Sequence, residues 1–390
     1  MDRFDLIQYY FDLGLPYKEI LYILSVKHGI TISLKTLKKI LSRNGLFRRK
    51  HFDNLFSVVQ FVREELQGSG ALHGYRWMYS KCKEKGLHVR KEDIRLILST
   101  LDPLGTERRR KRRLHRRSYF SKGPNFVWHV DSYDKLKPFG ICINGSIDGF
   151  SRKILWLNAY YTSSDPKVIG GYFLETVRAL GGSPLILRAD MGTENSTIRD
   201  MQRYLRRGDA DPLAGERSFI YGKSTANQRI ESWWGVLRKE CVDFWLEYFH
   251  QIKDEGNFDG SFLDKNLVLF CFLGLIQEEL DSTKDIWNSH LIRPSRNRLV
   301  PHGRPDVMYT LPELYNTLDY ICLVPGEDCD TCEDQCSHRS AISYCDEDIF
   351  TLCSHIMAQH HFRIPKDRYT AFDLYLALRQ ELTAVLNIVR

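Results

Sequence analysis

Three acidic residues of this sequence occupy positions from which they could bind divalent cations together. Asp131 ends the apolar segment FVWHVD, Asp190 follows the apolar segment LILRA, and Glu231 lies in a predicted helix. Carboxylates that converge in a region of low dielectric repel one another, and bound divalent cations relieve that repulsion. Oxygen ligands favour Mg²⁺ or Mn²⁺ over Zn²⁺. Two such ions about 3.5–4 Å apart can activate an attacking hydroxyl group and stabilise the leaving oxygen of a phosphodiester.

Each of these acids also has an ordinary structural explanation. Asp131 could cap the end of a strand, Asp190 could be a turn residue, and Glu231 could be a surface residue paired with Arg229 or Arg238. Helical spacing of apolar residues places Glu231 at the edge of a buried stripe that comprises Ile230, Trp233, Trp234, Leu237 and Cys241. A carboxylate at the core-facing edge of a helix is poorly placed to be simply solvated, so the three acids together favour a metal site.

The elements that must position these acids begin with three short apolar strands at residues 126–131, 141–148 and 154–159. Their short connections predict an antiparallel meander. Asp165 and Pro166 then start a helix as its N-cap and first helical residue. A strand at residues 185–189, a helix, a strand at residues 218–221 and the helix of the third acid complete the order βββαβαβα. The sequence therefore predicts an α/β fold built on a mixed sheet.

Four motifs resemble the catalytic core of retroviral-type integrases and DDE transposases: WHVD at 128–131, DGFSR at 148–152, DMGTEN at 190–195 and NQRIE at 227–231. The likeness covers residues 123–308 and extends to animal integrase-core proteins similar to Ginger-type transposases. It implies a ribonuclease H-like core in which Asp131, Asp190 and Glu231 are the catalytic acids that bind two Mg²⁺ or Mn²⁺ ions. The gap from the second acid to the third (231 − 190 = 41) is longer than is usual in retroviral members. Polar residues 206–217, predicted to form an exposed insertion, account for it.

Other acidic residues near these motifs compete for the metal role. We expect Asp148 to cap the turn at Ser151 or the nearby backbone, because it lies at a strand end before a turn. Asp134 and Glu194 are close in sequence to the predicted ligands, and we interpret them as outer partners of the site.

Basic, polar and aromatic residues flank or line the helix of the third acid. Lys223, Asn227 and Arg238 are predicted to contact phosphate groups or a DNA end. Trp233 and Trp234 could stack on nucleobases, although their spacing places at least one of them in the core.

Residues 1–50 predict three short helices, the last of which is capped by Ser33. Its predicted inward face comprises Leu34, Leu37, Ile40 and Leu41, and its outward face Lys35, Lys38, Lys39 and Arg43. A short basic last helix is typical of helix-turn-helix units, whose final helix enters the major groove of DNA. A trihelical module for protein contacts is the alternative. Residues 51–104 predict a second helical unit that echoes the first at a constant offset (86 − 29 = 57). Its segment at residues 68–101 resembles the second helix-turn-helix found ahead of the core in bacterial insertion-sequence transposases.

A basic linker is predicted at residues 105–124, where the run ERRRKRRLHRR occupies positions 107–117. A block of one charge sign repels itself and binds anionic partners, and DNA phosphates are the leading candidates. The predicted contacts are Arg108, Arg109, Arg110, Lys111, Arg112 and Arg113. A nuclear-import signal or a solvated linker is the alternative, and an import signal is compatible with DNA contact. We expect a nuclear protein.

The catalytic core is predicted at residues 125–310, and residues 311–390 form a helical, cysteine-rich C-terminal region that holds six of the ten cysteines. Zinc is a candidate there because Cys329, Cys332, Cys336 and His338 have metal-ligand spacing. Reduced surface thiols are the alternative, since the segment is acidic and lacks a second paired knuckle. The last helix could cap the core or join subunits.

Composition sets the remaining limits. A chain of 390 residues with 43% apolar and 12% aromatic residues can bury two or three domains. We expect no membrane segment, because no apolar run approaches the roughly 20 residues that a membrane helix needs. The N-terminus lacks a secretory pattern, which predicts a protein of a reducing intracellular compartment.

The leading hypothesis is an integrase or transposase that uses Mg²⁺ to hydrolyse DNA at the ends of a mobile element and to transfer the new 3′-hydroxyl groups. Its partners would be double-stranded DNA and further copies of the same chain, with no small-molecule substrate. The alternative is a domesticated, catalytically silent DNA-binding protein that keeps the fold. A structure-specific nuclease is a third, weaker hypothesis.

Overall fold

The computed structural model describes residues 2–48, 52–110, 119–222, 227–294, 300–338 and 345–388. The chain divides into two compact units, one of residues 1–64 with 74–108 and one of residues 65–73 with 109–390. Residues 125–310 and 311–390, predicted as separate regions, lie in the same unit. In the part of the chain that is described, no helix is long and apolar enough to cross a membrane.

The first unit is entirely helical. It begins with α1 (Arg3–Asp12), α2 (Tyr17–His28) and α3 (Leu34–Arg43), as predicted. The Ser33 hydroxyl caps α3 by accepting a hydrogen bond from the amide of Thr36 at 3.1 Å. Leu37 and Leu41 of α3 are buried, but Leu34 is 40% exposed, so its predicted inward orientation is wrong. The four basic residues of α3 are exposed as predicted.

Four more helices follow: α4 (Leu55–Glu65), α5 (Tyr75–Glu84), α6 (Lys91–Leu101) and α7 (Pro103–Arg110). Gly29 after α2 and Gly86 after α5 both have left-handed backbone conformations, with φ of 65° and 75°. Glycine adopts this conformation without the strain that a Cβ atom causes. The two glycines therefore follow corresponding helices of the two predicted helical units, at the offset of 57 residues (86 − 29 = 57) that the sequence indicated.

The second unit is built on a five-stranded mixed sheet in the order β3-β2-β1-β5-β6. Its first three strands form the predicted antiparallel meander: β1 (Val127–Tyr133), β2 (Cys142–Asp148) and β3 (Ile154–Tyr160). The strands β5 (Ile186–Ala189) and β6 (Phe219–Tyr221) add in parallel. The crossover helices are α8 (Pro166–Leu180) and α9 (Ser196–Leu205), and α10 (Gln228–Leu237) follows β6. The predicted order βββαβαβα and the ribonuclease H-like α/β fold are confirmed.

Alternation along the strands sends side chains to opposite faces of this sheet. Trp128 and Val130 of β1 pack with α8 and α9, whereas Tyr133 packs on the other face with Trp233 and Trp234 of α10. The same alternation places Asp131 on the α10 face.

The remaining helices complete the two cores. A π-helical turn at Arg238–Val242 joins α10 to α11 (Asp243–Asp254), and α12 (Phe262–Ser289) and α13 (Pro305–Thr310) follow. The C-terminal region contains α14 (Gly326–Glu333), α15 (Glu347–His360) and α16 (Arg368–Ile388). Buried residues of α15 and α16 join the core of α10–α12, and Cys329 and Cys332 of α14 join the core of α8 and α9. A separate two-stranded sheet pairs β4 (Gly182–Ser183) with β7 (Cys322–Leu323).

Most of the segment at residues 206–217 is exposed or half-buried, as its polar composition indicated, but its first residue is an exception. Arg206 is completely buried. Its guanidinium group donates to the Leu185 carbonyl oxygen at 2.6 Å and forms ion pairs with Asp209 and Asp211. A buried charge is tolerated when it is paired and hydrogen-bonded, and these partners fold the segment back onto the start of β5.

Candidate active site

The three predicted acids lie on three neighbouring elements of the second unit. Asp131 lies within β1 opposite Gly145 of β2, so it is not at the strand end that the sequence indicated. Asp190 directly follows β5, the parallel neighbour of β1, as predicted. Glu231 lies in the first turn of α10. The mixed sheet and the helix that covers it therefore bring the three acids to one region.

The carboxyl groups of these acids interact electrostatically. Burial, followed by the nearby charges of Glu231 and Asp190, raises the pKa of Asp131 to about 7. Partial burial and the Asp190 carboxylate raise the pKa of Glu231. Neighbouring carboxylates raise one another's pKa in this way, so the three acids are near enough to interact, although among the described residues their side chains are not gathered as metal ligands.

Asp131 is oriented by two donors. The indole Nε1 of Trp234 donates to its Oδ2 atom at 2.8 Å, and the amide of Ser132 donates to its Oδ1 atom at 2.9 Å. Both bonds favour the ionised carboxylate and so oppose the rise in the pKa of Asp131. Trp233 and Trp234 are 2% and 5% exposed, so base stacking by either of them is not supported.

Asp190 is held by a buried amide. Asn195 is 2% exposed, and its Nδ2 atom donates to Asp190 Oδ1 at 2.9 Å and to Glu194 Oε1 at 3.2 Å. One amide group thus bridges two carboxylates. Burial, then the charges of Asp190 and Asp134, raise the pKa of Glu194, which places Glu194 beside the acids as an outer partner.

Asp134 lies at the border of this region. Its carboxylate accepts hydrogen bonds from Lys137 Nζ at 2.9 Å and from Ser163 Oγ at 2.8 Å. Lys137 therefore supplies the counter-charge of Asp134. Asp134 acts on the site only indirectly, because its charge raises the pKa of Glu194.

The side chain of Glu231 is exposed, which corrects the prediction that it lies at a core-facing edge. The alternative, an ion pair of Glu231 with Arg229 or Arg238, is not seen among the described residues. Arg238 pairs with Asp243 at 2.7 Å, and the Arg229 guanidinium lies over the Tyr119 ring at 4.0 Å. Glu231 thus projects into solvent at the rim of the acidic region, where a large substrate has access to it.

Asn227 is not the surface residue that a DNA contact requires. It is 1% exposed, and its amide group bonds to His129 and to the Val130 carbonyl oxygen of β1. A side chain that is buried and bonded to a strand is poorly placed to reach a phosphate group. The structure therefore does not support DNA contact by Asn227, which stays a prediction.

The other predicted DNA contacts have mixed placements. Lys111, Arg112, Arg113 and Lys223 lie outside the described residues. The backbone of Arg108, Arg109 and Arg110 belongs to the end of α7, while their side chains are not described. Arg238 is exposed and engaged by Asp243. DNA contact by these residues stays a prediction.

Asp148 has the capping role predicted for it. Its Oδ2 atom accepts hydrogen bonds from the amide and hydroxyl of Ser151, both at 2.7 Å, and from the amide of Phe150 at 3.2 Å. Its Oδ1 atom accepts from the amide of Asn125 at 2.8 Å. The bonds from Phe150 and Ser151 fix the β2–β3 turn, and the bond from Asn125 ties that turn to the segment before β1, so Asp148 is a structural residue.

The predicted zinc ligands are not gathered into a ligand group. His338 is hydrogen-bonded through its two ring nitrogens to Glu175 and Glu333. The Cys336 thiol donates to the Cys332 carbonyl oxygen at 3.6 Å. Among the residues that the structure describes, no three His, Cys, Asp or Glu side chains are arranged to hold a metal ion. The zinc prediction is therefore unsupported.

The donor set of the acidic region nevertheless fits a hard divalent cation. Three carboxylates supply only oxygen ligands, which are the ligands that Mg²⁺ and Mn²⁺ prefer. The basic side chains of α10 and its end are engaged elsewhere, Arg229 at Gly149 and Arg238 at Asp243. Joint binding requires that the exposed Glu231 side chain turn toward the aspartates.

Sequence reasoning missed the residues that hold the acids. Trp234, Asn195 and Asn227 each form a hydrogen bond to an acid or to the strand that carries one. The available signal was their position inside the motifs or just after them: Trp234 three residues after Glu231, Asn195 five after Asp190 and Asn227 four before Glu231.

A meander joined to two parallel strands, with acids on β1, after β5 and on α10, defines a ribonuclease H-like catalytic core. The integrase core domain matches residues 118–304, and this match supports the likeness of that part of the chain to the integrase and DDE transposase superfamily. Members of this family are generally polynucleotidyl transferases that use divalent metals. A comparison with curated proteins found no match.

Proposed function

We propose that the protein is an integrase or transposase that hydrolyses and rejoins DNA strands at the ends of a mobile element. The observation that supports this most is the electrostatic coupling of Asp131, Asp190 and Glu231 on an integrase core. In hydrolysis, a water oxygen bonds to phosphorus while the bond from phosphorus to the 3′-oxygen breaks and that oxygen gains a proton. In strand transfer, the new 3′-hydroxyl loses its proton, bonds to a target phosphorus and displaces a target 3′-oxygen.

Asp131, Asp190 and Glu231 would hold two Mg²⁺ or Mn²⁺ ions. Such ions activate the attacking hydroxyl and stabilise the leaving oxygen. Trp234 keeps one oxygen of Asp131 fixed, and Asn195 does the same for Asp190. The exposed Glu231 provides a carboxylate on the side from which DNA approaches.

The proposed partners are double-stranded DNA and other copies of this chain. The exposed Lys35, Lys38, Lys39 and Arg43 of α3 support a helix-turn-helix role, because a basic recognition helix neutralises phosphates. Chemistry on two element ends favours a multimer. The basic run at residues 107–117 supports a nuclear location.

A strand-transfer assay tests the proposal. The full chain is incubated with Mg²⁺ or Mn²⁺, supercoiled plasmid as target, and duplexes that carry the terminal repeats flanking the gene. We expect joined products that require the metal, that are lost in Asp190→Asn and that persist in the control Asp200→Asn, an exposed surface residue paired with Arg199. An inactive wild-type protein that still binds DNA would favour the domesticated alternative, and full activity of Asp190→Asn would refute the catalytic assignment.

A further inference from the structure

The side chain of Asn227, the residue before α10, does not form the contact that is usual for its position. Asn227 occupies the N-cap position of α10, where an asparagine side chain normally accepts a hydrogen bond from the helix backbone. Here its amide group turns toward β1 instead. Its Nδ2 atom donates to the Val130 carbonyl oxygen at 2.8 Å, and its Oδ1 atom lies 2.7 Å from His129 Nδ1. A side chain that could stabilise its own helix thus serves to join that helix to a strand.

The positions of these partners are specific. Asn227 precedes Glu231 by one helical turn, and the Glu231 amide donates to the Asn227 carbonyl oxygen at 3.2 Å. On the strand side, His129 and Val130 directly precede Asp131. One amide group therefore connects the backbone beside one acid to the backbone beside another.

The hydrogen-bond donors can be assigned from chemistry. Because the Nδ2 atom of Asn227 donates to a carbonyl oxygen, its Oδ1 atom must accept, so His129 Nδ1 carries the proton. A neutral imidazole has one donor and one acceptor, and His129 Nε2 therefore accepts from the Tyr119 hydroxyl at 2.7 Å. Burial lowers the pKa of His129 to about 3, which keeps the ring neutral.

Tyr119 is fixed in turn by its surroundings. A Cβ atom at Gly149 would lie 2.6 Å from the Tyr119 hydroxyl oxygen, so only glycine leaves room for it there. The Arg229 guanidinium covers the Tyr119 ring at 4.0 Å, and Arg229 Nε donates to the Gly149 carbonyl oxygen at 2.9 Å. These contacts form a closed path that begins at Asn227, the N-cap residue of α10, and returns to α10 at Arg229.

We propose that Asn227, His129 and Tyr119 form a clamp that fixes the start of α10 on β1 and thereby sets the position of Glu231 relative to Asp131. These are positioning residues, since the bonds that define the clamp join the three to one another and to the backbone of β1 rather than to the acids. The clamp refines the proposed function, on which its importance for metal binding rests. Its effect on α10 is independent of catalysis and can be measured without metal.

Two variants of the full chain test the clamp by hydrogen–deuterium exchange of the peptide that covers residues 228–237. Asn227→Asp keeps the acceptor for His129 and replaces the Nδ2 donor with an oxygen that faces the Val130 carbonyl. Tyr119→Phe removes only a hydroxyl group and remains informative if the first variant folds poorly. The control is Tyr375→Phe, a buried tyrosine of α16 whose hydroxyl donates to the Asn257 carbonyl oxygen at 2.8 Å.

In metal-free buffer we expect exchange of this peptide to become about ten-fold faster in Asn227→Asp and several-fold faster in Tyr119→Phe, with no change in the control. Calorimetric titration should show weaker Mn²⁺ binding by both clamp variants. Unchanged exchange in folded clamp variants would overturn the clamp. If the clamp variants exchange faster but the wild-type protein binds no Mn²⁺, the clamp is supported and the proposed metal-dependent function is refuted.

Discussion

The indole Nε1 of Trp234 donates a hydrogen bond of 2.8 Å to Asp131 Oδ2. The ring of this core tryptophan lies beside Gly145, the β2 partner of Asp131, where a Cβ atom would come within 2.9 Å of the ring. Gly145 thus makes room for the tryptophan, and the tryptophan orients the acid. A residue that is buried for packing therefore has a direct effect on the electrostatics of the candidate site.

The first prediction concerns Trp234→Phe. The variant keeps an aromatic ring in the core but removes a donor that favours the ionised form of Asp131, so the pKa of Asp131 should rise further. We expect Mn²⁺ affinity at pH 7 to fall about ten-fold, as for a lost supporting contact of a metal ligand, and to recover partly at pH 9. Isothermal titration calorimetry at both pH values measures the change.

Trp233→Phe is the matched control for that experiment. Trp233 is equally buried, and its Nε1 atom has no hydrogen-bond partner among the residues that the structure describes. Its substitution should lower stability without a change in Mn²⁺ affinity. Equal losses of affinity in both variants would show that the ring packing matters and the hydrogen bond does not.

The second prediction is a pH dependence of stability in metal-free buffer. The pKa of Asp131 is raised to about 7 in the folded protein, above its unfolded value near 4. The folded state then binds the proton more tightly, so stability falls as pH rises from about 4 through 7. Relative to Asp131→Asn, which has no proton to lose, the wild type should lose on the order of 2 kcal/mol over this range.

Urea unfolding of both proteins at pH 5 and pH 8 measures this difference. Addition of Mn²⁺ at pH 8 should restore stability to the wild type and not to Asp131→Asn, because a ligand of the folded state shifts the unfolding equilibrium. A difference between the two proteins that does not vary with pH would contradict the raised pKa.

The third prediction concerns the buried Arg206. Arg206→Met removes one partner of its ion pairs with Asp209 and Asp211 and leaves the Leu185 carbonyl without its donor. Loss of a buried charged partner destabilises proteins strongly, and we expect the free energy of unfolding to fall by about 2–4 kcal/mol.

The neighbouring Arg207 supplies the comparison. Its exposed guanidinium pairs with Asp328 at 2.7 Å, so Arg207→Met should reduce the free energy of unfolding much less than Arg206→Met does. Denaturant unfolding followed by fluorescence measures both variants. Similar effects of the two substitutions would show that the buried ion pairs of Arg206 add no more stability than an exposed pair.

The fourth prediction addresses DNA binding by α3. Lys38→Ala and Lys39→Ala should weaken binding to duplex DNA uniformly across sequences, and each lost phosphate contact should reduce the salt slope by about 1. The exposed Lys27 of α2 provides the control, since Lys27→Ala removes the same charge from another helix. Fluorescence anisotropy at several salt concentrations gives the slopes, and equal effects of all three substitutions would argue against α3 as the recognition helix.

The strand order and the three acids were predictable because they depend on local patterns: short apolar runs, tight connections and motif spacing. The placement of polar side chains was not. Asn227 is buried because His129, 98 positions away, needs a partner, and Arg206 is buried because it reaches the Leu185 carbonyl, 21 positions away. Glu231 faces solvent although its neighbours in sequence are core residues. Burial of a polar group depends on partners that periodicity does not reveal.

The pairing of β4 with β7 extends the folded body past the end of the integrase core match. Gly182 and Ser183 hydrogen-bond with Leu323 and Cys322, and a side chain at Gly182 would collide with the Cys322 backbone. A truncated protein that stops near residue 304 would therefore expose a strand edge and strip α12 of the apolar cover that α16 provides. Preparations for biochemistry should retain the C-terminal helices, since the shorter fragment is a candidate for aggregation rather than a minimal enzyme.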